Sequence, residues 1–223
     1  MKPKNRPTKE TYYFSVEGDT EKWYLDWLQN AINNDPNCKI QVKLNSKAEK
    51  NPISYVKSLT ILGKTEITHV FDRESTNKEH TEAFLKTLDG MKTAEKCGKN
   101  VKYLCGYSNY TFDLWIILHK KNCRRPYTNR AQYLDAINDA FHEKFESMNK
   151  YKEESNFKKV LSKLTLDDVC FAIKCAEQIE KDCFDNGYTQ KERNGYRYYD
   201  ENPSILLHKQ IAKILEKAGL KKI

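Results

Sequence analysis

The sequence predicts an α/β fold, a mainly parallel sheet flanked by helices, with a helical C-terminal extension. Three observations predict it. Four short runs rich in aromatic and β-branched residues alternate with stretches of helical period, giving β-α-β-α-β-α-β; parallel strands need such crossovers. Acidic residues gather where the first and third runs stop, in V-E-G-D-T-E and F-D-R-E. That carboxyl edge is where open α/β sheets bind ligands. From Phe112 onward strand signals give way to helical ones. A chain of 223 residues suits one large domain or one domain with a helical addition.

Residues 1–10 read as a flexible basic leader. Tyr12, Tyr13, Phe14 and Val16 form the first strand. Gly18-Asp19 turns, and Thr20 caps a helix carrying Trp23, Tyr24, Trp27 and Leu28, whose Trp23/Trp27 stripe faces the core. After the Asp35-Pro36-Asn37 turn, K-I-Q-V-K-L alternates as a second strand. Asn51-Pro52 opens a helix with Ile53, Val56, Leu59 and Leu62 inward, stopped by Gly63. I-T-H-V-F is the third strand, ending in Asp72-Arg73-Glu74. A helix with Ala83, Phe84, Leu88 and Met91 on one face runs to about Gly98, and V-K-Y-L-C-G-Y is the fourth strand. Helices follow at 112–121, 130–148 and 165–183, the last capped by Thr165 with Asp168 three residues on. Residues 185–200, polar, basic and tyrosine-rich without a period, read as a long loop. A final helix runs from Pro203 to Ala218, capped by Asn202 and closed by Gly219.

Composition narrows the function classes. No apolar run is long enough to span a bilayer, and the N-terminus lacks the apolar core of a signal peptide. A cytoplasmic location without membrane contact is expected. Seven cysteines, an odd number without a C-x-x-C pair, argue against a disulfide framework or a structural zinc site, so most are expected as buried thiols. A net charge of +8 favours polyanionic partners such as nucleic acid, RNA or DNA, with a solvated basic surface as the equal alternative. There is no G-x-x-x-x-G-K-[ST], so any ATP dependence must come from another chain. Self-association is left open.

Glu17, after the first strand, and Asp72 with Glu74, after the third, converge in such a sheet. Convergent carboxylates suit a hard cation, magnesium or manganese, which takes oxygen ligands and keeps waters for substrate phosphates; the blander alternative is that acids end strands and cap helices routinely. Glu21 lies just beyond. Ser108 and Asn109 are expected as loop and cap residues after the fourth strand. Asp113, in the first turn of the next helix, is either a further carboxylate at this edge or a helix N-terminal acid. His119 is either a satisfied core histidine or helix-end cation, or a catalytic base. Lys152, Lys191, Arg193, Arg197 and His208 are candidate phosphate contacts. The basic groups are interleaved with Tyr188, Tyr196, Tyr198 and Tyr199, which suits single-stranded or looped RNA; a solvated loop is the alternative.

These motifs in order resemble two levels of family. V-E-G-D-T-E and F-D-R-E look like the signature of the Toprim fold of topoisomerases, primases and OLD-type nucleases. More closely, the chain resembles the RloB family, also called AbiL-like, of bacterial defence-associated proteins, which carry V-E-G-x-T-E, F-D-x-D, S-N-P-x-F-E-L-W-x-L-L-H and N-P-S-x-x-x-H. Here the last two read S-N-Y-T-F-D-L-W-I-I-L-H and Asn202-Pro203-Ser204 with His208. Glu74 replaces the second acid of D-x-D, Tyr110 the proline and Asp113 the glutamate. The resemblance implies a Toprim-like core at 11–121 and a helical region at 122–223 packed on it. It implies a magnesium-dependent nuclease in which Glu17, Asp72 and Glu74 hold one or two ions and a water attacks phosphorus. The protein would be an antiphage effector beside an ABC- or AAA-type ATPase. A non-catalytic module binding nucleic acid or the ATPase is the alternative.

Overall fold

The computed structural model describes residues 8–124 and 126–220; residues 1–7 of the expected leader lie outside them. The strand expected from Thr11 already starts at Lys9. Four strands, β1 (Lys9–Val16), β2 (Gln41–Ala48), β3 (Thr65–Arg73) and β4 (Val101–Asn109), form one all-parallel sheet in the order β2-β1-β3-β4. The intervening helices are α1 (Asp19–Asn34), α2 (Pro52–Ser58) and α3 (Lys78–Ala94). The expected α/β architecture with a helical C-terminal part is therefore present.

Period-2 alternation in the strands divides the core between the two faces. Ile67 and Phe71 of β3 pack with Tyr55, Phe84, Leu88 and Met91 from α2 and α3. Val70, one residue out of phase, packs instead with Tyr24, Leu28 and the helices beyond residue 112. Those helices are α4 (Asp113–Leu118), α5 (Arg130–Phe141), α6 (Met148–Tyr151), α7 (Glu154–Leu161), α8 (Leu166–Asp185) and α9 (Leu207–Ala218). The C-terminal half thus shares its core with the sheet.

Several boundaries differ from expectation, each for a local reason. Gly18, not Thr20, stands at the N-cap of α1, and Thr20 lies in the first turn with its hydroxyl donating to Glu21. The buried stripe of α1 is Glu21, Tyr24, Leu25, Leu28 and Ile32; Trp23 and Trp27 are half-buried beside it, their rings against Phe157 and Tyr24. Asn51 does cap α2, accepting from the Ile53 and Ser54 N–H groups. That helix stops at Ser58, leaving Leu62 fully exposed. The expected 130–148 helix breaks at His142, which takes the left-handed conformation (φ 54°) that ends α5. The Thr165/Asp168 capping box of α8 is formed.

Two larger corrections concern the tail. Residues 185–200 are not a structureless loop: β5 (Lys191–Arg193) and β6 (Tyr196–Tyr198) pair antiparallel. Asn194 and Gly195 turn between them at φ 56° and 86°, as an Asn-Gly hairpin turn requires. The final helix starts at Leu207 rather than Pro203. Ser204–Leu206 instead runs antiparallel along β4, with Asn109 N–H donating to Ser204 (2.9 Å) and Leu206 N–H donating to Tyr107 (3.0 Å). This covers an otherwise open sheet edge. No disulfide links the cysteines among the described residues, and of the seven only Cys123, Cys175 and Cys183 are buried, fewer than expected.

Candidate functional site

The chain leaves β1 toward β2 on one side and continues through β3 to β4 on the other. The reversal between β1 and β3 is the topological switch point, where crossovers diverge and leave a crevice at the carboxyl edge. Val16 pairs with Val70 there, which puts Glu17 level with the end of β3. A Glu17 carboxylate oxygen accepts the Asp72 backbone N–H at 3.2 Å. Glu21, one helical turn on, is buried on the inner face of α1. The structure therefore brings Glu17, Glu21 and Asp72 together from three elements.

Their electrostatics are those of carboxylates crowded without enough positive charge. Burial raises the Asp72 carboxyl well above its ordinary value, reinforced by Glu21 and Glu17, while Lys152 and a backbone hydrogen bond from Phe112 oppose it. Burial likewise raises Glu17, with Glu21 and Glu74 adding to it, and raises Glu21, with Asp113 adding to it. Asp72 Oδ1 is buried without a hydrogen-bond partner. Like charges held this close are relieved either by a proton or by a cation.

Asp113 closes the inner wall. It is wholly buried at the start of α4. Its Oδ2 accepts from the Thr111 hydroxyl (2.8 Å) and pairs with the Lys152 ammonium (2.9 Å), while Oδ1 has no partner. Burial works against the charge on Lys152, but Asp113, Asp72 and Glu21 outweigh it and raise its pKa. Lys152, expected on a phosphate, is thus lodged against the acids.

The other candidates lie elsewhere. Glu74 sits half-exposed just past β3, near His80 (3.5 Å) and Arg130 (3.7 Å). His119 is a core residue, its Nδ1 bonded to the Trp115 carbonyl (2.8 Å) and its Nε2 to the Tyr24 hydroxyl (3.2 Å); burial lowers its pKa to about 4. His208 is buried beside Glu180 at 3.6 Å. Lys191 pairs with Asp200, Arg193 forks onto Asp89 (2.7 Å) and Arg197 lies 3.4 Å from Glu192. Ser108 and Asn109 belong to β4 rather than to a loop, and both are buried. Asn109 donates to the Tyr199 (3.0 Å) and Glu201 (2.6 Å) carbonyls, tying the hairpin's exit to the sheet.

One feature of this edge had no reading in the sequence. A cleft of about 410 Å³, lined by Tyr110, Tyr127, Tyr188 and Asn202 among others, opens beside Thr76 and Tyr110, just past β3 and β4. Tyr110 sits at φ 69° and stacks on Tyr133. In the sequence that position carried one signal, a tyrosine where the family the chain resembles has proline.

The donor set fits a hard divalent cation. Oxygen is the only donor type among Glu17, Glu21 and Asp72, and Asp72 presents an oxygen the protein itself leaves unmatched. Among the described residues no three His, Cys, Asp or Glu side chains converge closely enough to enclose an ion. Magnesium is held through one or two carboxylates with the remaining positions left to water and phosphate, so a pair such as Glu17 and Asp72 suffices in number and in donor type. The same described residues contain no helix long and apolar enough to cross a membrane.

The family model described as RloB-like protein matches residues 12–214. No curated protein and no solved structure matches the chain.

Proposed function

The chain belongs to the RloB-like family, and from that membership together with the acidic switch point we propose a divalent-metal-dependent, Toprim-type nuclease. It cleaves phosphodiester bonds in nucleic acid, RNA in preference to DNA, as an antiphage effector beside an ABC- or AAA-type ATPase carried by another chain. The observation that carries the reading is the meeting of Glu17 and Asp72 at the switch point, with Asp72 Oδ1 unmatched.

Glu17 and Asp72 would hold the ion, with Glu21 or Glu74 adding charge. Once bound, magnesium or manganese supplies Lewis acidity toward a phosphoryl oxygen and lowers the pKa of water. The Asp72 N–H holds the Glu17 carboxylate in place before substrate arrives. Tyr110 and Tyr127 offer ring faces on which unpaired bases stack, the recognition mode of single-stranded RNA. The basic balance of +8 draws the polyanion in.

The second reading is a binding module for nucleic acid or for the ATPase. It is favoured by the hairpin, whose Lys191 and Arg193 are already matched by Asp200 and Asp89, a pattern suited to holding a shaped docking surface. Incubating the purified chain with magnesium or manganese and a panel of tRNA, single-stranded RNA and DNA separates the two. The nuclease reading expects metal-dependent cleavage, strongest on RNA with unpaired segments. Binding without cleavage under both metals favours the module.

A further inference from the structure

We propose that the Lys152 ammonium is a built-in counter-cation of the acidic cluster, standing in for a second divalent ion, so that the chain takes up one ion per site. The inference rests on the metal-ion reading above.

The argument starts from Asp113. A wholly buried carboxylate is tolerated only when paired or hydrogen-bonded, and Asp113 obtains both from Lys152 and Thr111 on one oxygen. Lys152 follows α6, four residues that the buried Tyr151 ring anchors between Phe145 and Phe157. The Lys152 N–H donates to the Met148 carbonyl (2.9 Å), so its stem starts from a fixed point.

Two-ion phosphodiesterases place their metals about 3.5–4 Å apart among shared carboxylates. Here the Asp113 end of the cluster already carries a cation in contact through Oδ2, while at the Asp72 end the buried Oδ1, like Asp113 Oδ1, has no hydrogen-bond partner and no ammonium is paired with it among the described residues. A divalent ion entering beside Lys152 would meet its charge at close range, and repulsion at a few ångströms in a partly dry site is strong. One ion at Glu17 and Asp72 plus one ammonium at Asp113 therefore offsets three of the four carboxylate charges of Glu17, Glu21, Asp72 and Asp113, whereas a second divalent ion beside the ammonium would overshoot them.

Calorimetric titration of the intact chain with manganese, with electron paramagnetic resonance to detect coupled ion pairs, tests this. The wild type is expected to take up one ion and show no coupled pair. Lys152→Met is expected to take up two, and Lys152→Met/Asp113→Asn, which removes both charges, to return to one. In chelator, Lys152→Met should melt about 5 °C lower, because a buried carboxylate loses its partner, and adding Asp113→Asn should restore most of that. If Lys152→Met does not fold, recovery of the fold in the double variant supports the pairing, and a double variant that stays unfolded contradicts it. One ion in Lys152→Met overturns the inference. Two ions in the wild type overturn it alone and leave the metal-ion reading standing, whereas no ion in the wild type removes both.

Discussion

Asp72→Asn is expected to lower metal-dependent cleavage by at least about 10²-fold, the scale on which a lost charge-stabilising group acts, while the chain becomes no less stable at neutral pH. The two effects diverge because the substitution keeps the volume and removes one of several crowded negative charges. A new amide N–H₂ can also donate to a neighbouring carboxylate. The pH dependence carries the sign. Folding raises the Asp72, Glu17 and Glu21 carboxyls above their ordinary values of 3.8 and 4.5. The folded chain therefore keeps protons that the unfolded chain has released. This contribution leaves stability highest at or below those ordinary values and erodes it as pH rises through the raised ones. In chelator, Asp72→Asn should flatten that decline in a denaturation series from pH 4 to 8. Undiminished cleavage by the variant would rule out Asp72 as a metal ligand.

The second large effect concerns the tie between the sheet and the C-terminal segment. Arg73, buried at the end of β3, pairs with Asp200, donates to Thr81 (3.2 Å) and lies over the Phe84 (5.6 Å) and Tyr198 (6.0 Å) rings. Arg73→Ala removes one of the two charge partners of Asp200, leaving Lys191, together with both ring contacts. Breaking a buried pair costs about 3–5 kcal/mol, and the partial exposure of Asp200 with Lys191 still paired to it places this case at the low end, about 3 kcal/mol. For a chain of this size that lowers the melting temperature by roughly 6–12 °C. Arg73→Lys should recover only part of the loss, since an ammonium cannot reproduce the planar fork. Chemical denaturation at constant m-value measures it. A loss below about 0.5 kcal/mol, the range of ordinary surface substitutions, would mean that the hairpin is held by its rings alone.

What the sequence disclosed follows from how local each signal is. The strands of the sheet were readable because their runs are short, branched and separated by helical period, whereas their spatial order, and with it the switch point, is a matter of tertiary pairing that no local signal carries. Glu17 and Asp72 were readable as strand-end acids for the same reason. The pairing of Lys152 with Asp113 was not, because it spans 39 positions in the sequence (152 minus 113) and joins two helices by tertiary packing. Asn202-Pro203 imitates a helix start, cap then proline, yet the open β4 edge claims Ser204–Leu206 as backbone partners. Asn194-Gly195 was the overlooked signal. Its turn chemistry is local and strong, but Y-R-Y and K-E-R are too short to register as strands beside so many charges. His119 shows the limit of motif reading, since a position matching a family pattern proves to be a core histidine with both ring nitrogens engaged.

The central claim, that the Glu17/Asp72 edge is a divalent-cation site, is tested most directly by the melting temperature of the chain against manganese concentration. Ligand bound only by the folded state stabilises by about 2.7 kcal/mol at a hundredfold excess over its dissociation constant, which here corresponds to a rise of roughly 5–10 °C. The wild type is expected to show that rise, and Glu17→Gln and Asp72→Asn to lose it while remaining folded. An equal rise in all three proteins, or none in the wild type, would contradict the claim.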